Sequence, residues 1–178
     1  MTMSDVTLRE LERTDLTAVN AWRADYSLVE LLGGNFRHVG SEVDGRWFDA
    51  YLAARTNNVR LAICLKETGE IVGVVYLTSI DWLNRSAEFS IQIGARSARG
   101  RGIGESATRQ MLRHAFLDLN LRRISLTVLL SNKRALRLYE RVGFKAEGLF
   151  RQALFKDGAY LDVASMALLS DEFDTTGD

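Results

Sequence analysis

Proline is absent from all 178 residues, and no Gly/Ser-rich stretch marks a linker. With no internal repeat or low-complexity segment either, the chain reads as one domain of ordinary size. Cysteine occurs once, as Cys64, which excludes an intrachain disulfide framework and fits a reducing cytosol. Histidine occurs only at His38 and His114, so a His/Cys metal cluster is not expected. No apolar run is long enough to span a bilayer. Residues 1–11 carry acidic side chains and no apolar stretch, which argues against a signal peptide. A cytoplasmic protein without a membrane partner is the expectation. Net charge is missing too: Lys+Arg and Asp+Glu both number 23. That balance lacks the basic footprint of a nucleic-acid binder, so any anion site must be a local cluster. What is present, 47% apolar and 26% charged residues, suffices for a real core and a soluble surface.

Residues 6–11 read as a first strand, and Thr14-Asp15 as a helix start. Residues 16–24 space Leu16, Val19, Ala21 and Trp22 as an amphipathic helix. Residues 42–55 predict another, with Val43, Trp47, Tyr51 and Leu52 on one side, and Gly33-Gly34-Asn35 is a loop between the two. Residues 61–65 and 71–77 then flank a glycine-containing hairpin loop. Residues 86–93 alternate, with Ala87, Phe89, Ile91 and Ile93 on one face and Glu88, Ser90 and Gln92 on the other, which is a strand. Residues 103–119 place Ile103, Ala107, Met111, Ala115 and Leu119 four apart, which is a helix. Residues 124–130 return to alternation. Ser131-Asn132 then caps a short helix that runs to Val142 and stops at Gly143. Residues 150–155 and 160–168 flank Asp157-Gly158, a strong hairpin signal. The order predicts a mixed α/β sheet rather than a doubly wound one. The domain should occupy residues 1–169, and residues 170–178 a polar acidic tail that frays.

The sequence Arg99-Gly100-Arg101-Gly102-Ile103-Gly104 falls between a strand and a helix. A helix N-terminus presents unpaired N–H groups and about half a positive charge, so it attracts phosphate. Glycines let a pyrophosphate approach the backbone, and Arg96, Arg99, Arg101 and Arg109 add local positive charge. A P-loop would need Gly-Lys-Ser/Thr, which does not follow. The dinucleotide fingerprint would need glycine where Glu105 stands. On the loop alone, a surface turn with solvated arginines is an equally good reading.

The loop has company, however. About thirty residues on comes Asn132-x-x-Ala135-x-x-x-Tyr139-x-x-x-Gly143-Phe144. Arg-x-x-Gly-x-Gly followed by this second pattern resembles the two acyl-CoA motifs of the GNAT superfamily of N-acetyltransferases. Ala87-Glu88-Phe89, the Leu119-Asn120-Leu121 step and the Asp157-Gly158 hairpin are most similar to its spermidine N-acetyltransferase and RimJ/RimL-like branch. Residues 26–46 resemble the family least. The resemblance implies the GNAT α/β (α+β) fold: a mixed, mostly antiparallel sheet with flanking helices and two diverging central strands. It implies acetyl-CoA as cosubstrate, no metal, a small-molecule primary amine as acceptor such as a polyamine or amino sugar, and a homo-oligomer, often a dimer. A protein N-terminal acetyltransferase of the ribosomal-protein type and a non-catalytic acyl-CoA-binding module are the alternatives.

The resemblance also assigns roles. The pyrophosphate is expected on Arg99, Gly100, Arg101, Gly102, Ile103, Gly104 and Glu105. The pantetheine arm is expected along the backbone of Ile91 and Ile93 and against Asn132, which also reads as a helix N-cap. Direct attack by the amine on the thioester is implied. A lysine-like amine has a reference pKa near 10.4, so its deprotonation at pH 7 costs about 4–5 kcal/mol, and a base would help. Tyr139 matches the family's proton donor to the leaving thiolate and also suits packing beside Leu136 and Val142. Glu88 is the second catalytic candidate, as base, as water anchor or as the carboxylate that orients a cationic amine; an ordinary solvated glutamate is the plainer reading. Cys64 reads as core. Trp22, Trp47 and Trp82 read as packing rather than as an acceptor pocket.

Overall fold

The computed structural model of the chain describes residues 6–174. Seven strands form one sheet in the order β1-β2-β3-β4-β5-β7-β6. They are β1 (Val6–Glu10), β2 (Val59–Leu65), β3 (Ile71–Asp81), β4 (Ser86–Ile93), β5 (Arg123–Leu129), β6 (Lys145–Lys156) and β7 (Ala159–Leu169). Every pairing is antiparallel except β4–β5, the one parallel step. The helices are α1 (Leu16–Arg23), α2 (Tyr26–Val29), α3 (Ser41–Ala53), α4 (Ile103–Arg113) and α5 (Lys133–Val142). A single wider π turn, His114–Asp118, continues α4. None of these helices is long and apolar enough to cross a membrane.

Period-two alternation decides which sheet face is buried. Ile124, Leu126 and Val128 of β5 and Ala164, Met166 and Leu168 of β7 are buried in the same core as Ile103, Ala107, Met111 and Ala115 of α4. The four-residue spacing read from the sequence is therefore the buried stripe of that helix. A second core lies over the N-terminal half of the sheet, where Leu16, Val19 and Trp22 of α1 and Phe48 and Tyr51 of α3 cover Ala62, Cys64 and Val74. Cys64 is a core residue, as expected.

The structure corrects three sequence-level expectations. The buried side of α3 is Asp44, Phe48 and Tyr51, whereas Val43 and Leu52 stand 57% and 44% exposed. Asp44 turns inward because it meets Arg23 Nη1 at 2.8 Å and accepts from Asn20 Nδ2 at 2.6 Å, and this rotates the helix away from its apolar stripe. Gly33-Gly34-Asn35 lies outside any helix or strand, as read, and a one-turn helix, α2, precedes it, capped by Asp25, whose side chain accepts from Ser27 N. β6 starts at Lys145, five residues earlier than the hairpin signal implied. Within the tail, Glu172 accepts from Leu169 N and pairs with Lys145, and Phe173 stacks on Phe116, so residues 170–174 are anchored. The rest of the expected tail, residues 175–178, lies outside the described residues.

Candidate active site

The site follows from where β4 and β5 part. They pair only at Ser86↔Arg123, Ala87↔Ile124 and Glu88↔Ser125. Beyond Glu88, β4 stays bonded to β3 as far as Ile93↔Gly73, while β5 stays bonded to β7. The result is a V between the two central strands, with Glu88 at its vertex. Along β4, the backbone groups of residues 89–93 that point away from β3 have no strand partner in β5. Backbone of this kind is what an extended ligand can add to as if it were a strand.

Phe89 and Glu88 are neighbours on opposite faces of β4, so the vertex carries different chemistry on its two sides. On the helical side, the Phe89 ring packs edge-on against Tyr139 of α5, with centroids 6.2 Å apart, and both rings contact Phe144. Tyr139 is only 8% exposed, and its hydroxyl makes no hydrogen bond among the described residues. Burial pushes its pKa up to about 12, so the phenol keeps its proton throughout the physiological range. The arrangement is a buried, protonated donor without an internal acceptor.

On the other side Glu88 is exposed and forms no ion pair or hydrogen bond among the described residues. The register places Ser90 beside it on β4, Ser125 and Thr127 on β5, and Ser165 on β7, all on the same sheet face. Thr127 is exposed, and Ser125 and Ser165 are half-buried, so this part of the face is a floor of hydroxyls near Glu88, bordered by the buried Leu129 and Ala167. Toward β3 and β2 the floor ends at Tyr76. There the Arg60 guanidinium lies over Trp47 and Tyr76, 4.8 Å from each centroid, and 5.5 Å from that of Tyr51. Trp47 is thus committed to a cation–π stack. Trp82 donates to Thr56 O, and Trp22 packs onto Gly94 so closely that any side chain at Gly94 would fall inside its ring. Trp22 and Trp47 are packed, whereas Trp82 is 47% exposed and held through its ring N–H.

The glycine loop lies at the far end of β4. Gly100 and Gly102 have φ of +90° and +80°, which side-chain-bearing residues rarely adopt. Gly102 is the N-cap residue of α4 and provides no side-chain cap, which leaves the first-turn amides of Ile103, Gly104 and Glu105 without one. A Cβ on Gly102 would meet nothing within 4 Å, so the approach to those amides is open. On Gly104 a Cβ would press on Leu138 at 3.2 Å, so that glycine serves close packing of α4 on α5. Glu105 is held by Arg141 Nε at 3.1 Å and Arg109 at 3.3 Å, so its carboxylate is neutralised and turned along the helices. Arg99 does not project outward. Its guanidinium donates to Ile93 O at 3.1 Å and Gly94 O at 2.8 Å and reaches Asp25 at 3.4 Å. The Ile93 carbonyl is therefore already engaged. Asn132 is bound at both ends as well, with Oδ1 accepting from Ala135 N and Nδ2 donating to Leu31 O, each at 3.1 Å. Its cap role is the one visible in the geometry.

Sequence reasoning missed Asp25 and Lys156. The Lys156 ammonium, buried beside the hairpin, donates to the carbonyls of Val29 and Leu32, each at 2.6 Å, and of Glu30 at 3.4 Å. Burial lowers its pKa, countered by Asp157 and Glu30. Tyr26 also bonds Asp157. Residues 25–32 thus form a strap from the β4 end of the V, through Asp25, to its β5 end, through Asn132, and on to the β6–β7 hairpin. Asp25-x-Ser27 was a readable N-cap signal, but a lysine that caps carbonyls distant in sequence leaves none. Two surface cavities flank the strap. One, of about 280 Å³, includes Arg23, Phe36, Arg37 and His38. The other, of about 200 Å³, includes Tyr26, Glu30, Phe155 and Asp157. Neither contains Glu88 or Tyr139.

Among the described residues the sheet opens at its one parallel step, and the two diverging central strands that the resemblance implied are present. The chain belongs to the GNAT acetyltransferases: the acetyltransferase (GNAT) domain family matches residues 5–145. It is similar to the spermidine N(1)-acetyltransferase of Vibrio cholerae, with 29% identity over 171 residues, 96% of each chain. It also resembles a putative ribosomal N-acetyltransferase of Bacillus subtilis, YdaF, with 32% identity over 106 residues, 60% of this chain and 57% of that one. The crystal structure of the Vibrio cholerae spermidine N-acetyltransferase in complex with CoA and spermine superimposes with a TM-score of 0.88 at 28% identity. That match covers 94% of this chain and 97% of the other. A dodecameric structure of the Vibrio enzyme matches with a TM-score of 0.83 at 27% identity, over 98% and 99% of the two chains.

Proposed function

We propose that this acetyltransferase moves the acetyl group of acetyl-CoA onto a primary amine of a polyamine. The observation that carries the acceptor class is Glu88: an unpaired carboxylate at the vertex of the V, near a floor of hydroxyls. A cationic amine gains from a carboxylate and from hydroxyl acceptors, and an anionic acceptor would be repelled there. The similarity to polyamine acetyltransferases, one of them bound to CoA and spermine, supports the same reading.

Acetyl-CoA supplies the acyl group as an activated thioester. Its fit to the chain rests on the open amides at the start of α4 and on the glycines whose positive φ leaves the backbone bare. Gly100, Arg101, Gly102, Ile103, Gly104 and Glu105 would hold the pyrophosphate through backbone amides and the Arg101 charge. Residues of β4 around Ile91 would hold the pantetheine arm through backbone. Arg99 and Asn132 serve this site by fixing the ends of β4 and α5. Glu88 holds the incoming ammonium and takes or relays its proton. Tyr139, with its pKa near 12 and no internal partner, holds a proton at its hydroxyl for the departing thiolate. The donor stands on the helical face and the carboxylate on the open face, so the two substrates meet from opposite sides of the sheet. We assign the chain to the cytoplasm as a single catalytic domain that self-associates, a reading supported by the dodecameric relative.

The test is thiol release from acetyl-CoA across spermidine, spermine, amino sugars and short peptides with free N-termini. Turnover of the polyamines well above the other classes is expected. Turnover confined to peptides would replace the polyamine with a protein N-terminus. Binding of acetyl-CoA without turnover of any amine would make the chain a binding module.

A further inference from the structure

Asp25 accepts from Ser27, Arg96 and Arg99, and so ties the strap to the β4 end of the site. Its Oδ1 accepts from Ser27 N at 3.1 Å and Ser27 Oγ at 2.7 Å, which caps α2 and so starts the strap. The same carboxylate receives Arg96 in a two-point grip, Nη2 at 2.9 Å on Oδ1 and Nε at 3.2 Å on Oδ2. Arg99 Nη2 reaches Oδ2 at 3.4 Å. Asp25 and Arg99 are 18% and 20% exposed, so this contact is screened less than a surface pair; Arg96, at 73%, is held mainly by its geometry. The Arg96 and Ser27 hydrogen bonds hold the Asp25 carboxyl well below the usual carboxylate range, so it is an anion at every physiological pH.

Arg96 and Arg99 bracket the tight turn Arg96–Ala98 that leads directly into Gly100 and Gly102. Two glycines with positive φ give the connection to α4 wide conformational freedom, and a ligand that bound it loose would have to order it. Two contacts hold that turn at its entrance. Trp22 lies on Gly94 from the apolar side, and Asp25 grips the arginines from the polar side. Because Arg99 spends its other donors on Ile93 O and Gly94 O, the grip also sets the end of β4.

We infer that Asp25 is a positioning residue for the pyrophosphate loop: it preorganises residues 96–102 through Arg96 and Arg99, and it does not touch the cosubstrate. The inference rests on the proposal above that acetyl-CoA binds at the start of α4. It also explains why Arg99 faces inward, where the motif alone made it a phosphate ligand.

Asn is as good an N-cap as Asp, so Asp25→Asn keeps the α2 cap through its amide oxygen and removes the charge and the second acceptor that grip the arginines. Acetyl-CoA affinity is measured by calorimetry. Steady-state rates are measured with acetyl-CoA and with S-acetylpantetheine, which has no pyrophosphate. The variant should bind acetyl-CoA roughly tenfold more weakly, keep kcat at saturation, and use S-acetylpantetheine as well as the wild type does. Arg99→Gln should act in the same direction, and the double variant should lose less than the sum of the two single losses, because the Arg99–Asp25 contact is shared while the Arg96 grip and the Ile93 and Gly94 carbonyl contacts are not. Ser27→Ala, which keeps the backbone cap and both ion pairs but removes the hydroxyl that Asp25 and Arg96 share, should weaken acetyl-CoA binding less than Asp25→Asn does. Unchanged affinity in Asp25→Asn would reduce Asp25 to a helix cap and overturn the inference. Tighter affinity would make Arg96 and Arg99 phosphate ligands that Asp25 restrains, which overturns it too. Equal losses with both donors would mark a general structural defect and overturn it as well. Failure of the wild type itself to bind acetyl-CoA would overturn the functional reading and this inference together, and is distinguishable because no variant is needed to see it.

Discussion

Strands β5 and β7 show two chemistries on one backbone. Toward α4 and α5 they present Ile124, Leu126, Val128, Ala164, Met166 and Leu168, all buried. Toward the other side they present Ser125, Thr127 and Ser165, exposed or half-buried, beside Glu88 of β4. The first face gains its stability from apolar area removed from water. On the second face, α1 and α3 cover the β1–β4 half, α2 crosses toward the β6–β7 hairpin, and ion pairs bind much of this layer: Asp15 with Arg9, Asp44 with Arg23, Asp25 with Arg96 and Arg99. A packed face cannot admit a polar substrate without loss of its contacts, whereas a floor of hydroxyls held by charges at its margins can. On the proposed mechanism the sheet separates a stabilising side from a receiving side, and the two communicate at the V between β4 and β5.

Substitutions on the two faces should therefore change different observables. The largest effect is expected where the faces meet. Tyr139→Phe keeps the ring that packs on Phe89 and Phe144 but removes the donor, so turnover should fall about 100-fold or more with acetyl-CoA binding retained. Undiminished kcat would remove Tyr139 from the chemistry. On the packed face, Leu112→Ala empties a fully buried position and should cost about 2–5 kcal/mol in denaturant unfolding. Its KM values should stay near those of the wild type; a selective change in acceptor KM would break the separation of the two faces. On the receiving face, Glu88→Gln should lower kcat/KM for polyamines roughly tenfold, with stability unchanged within about 0.5 kcal/mol. Stability lost without any kinetic change would make Glu88 an ordinary surface residue.

The smallest effect concerns pH. Burial alone would raise the Asp15 carboxyl, but the Arg9 guanidinium and the Glu12 amide outweigh it and hold the pKa below its ordinary 3.8. A depressed carboxylate adds stability that is present above the unfolded value and lost as pH falls through the folded one. The stability gap between wild type and Asp15→Asn should therefore hold at neutral pH and shrink only below about pH 4. A gap that closes already between pH 5 and 7 would contradict this assignment.

Much of this was legible before any coordinates. Wherever one face is apolar, alternation or four-residue spacing reports it, and β4, β5 and α4 lie where their periodicity put them. The Asn132 and Gly143 caps and the Asp157-Gly158 turn are local rules that neighbouring residues satisfy, so they too could be read. α3 could not, because its buried face is chosen by Asp44, whose partners Arg23 and Asn20 lie on another helix. Arg99 shows the same limit within a motif. Its position was legible, but its direction was decided by Asp25 and two strand-end carbonyls.

The sequence by itself determined the element order, the packed face, the glycine loop and the presence of a tyrosine with donor potential, because each depends on short-range periodicity or on a residue's own conformational range. Only the tertiary structure decided that β4 and β5 separate after Glu88, that Tyr139 and Glu88 stand on opposite sides of that opening, and that Asp25 and Lys156 tie a strap across it. Those outcomes depend on partners from distant segments, and burial and charge pairing act between groups that only folding brings together.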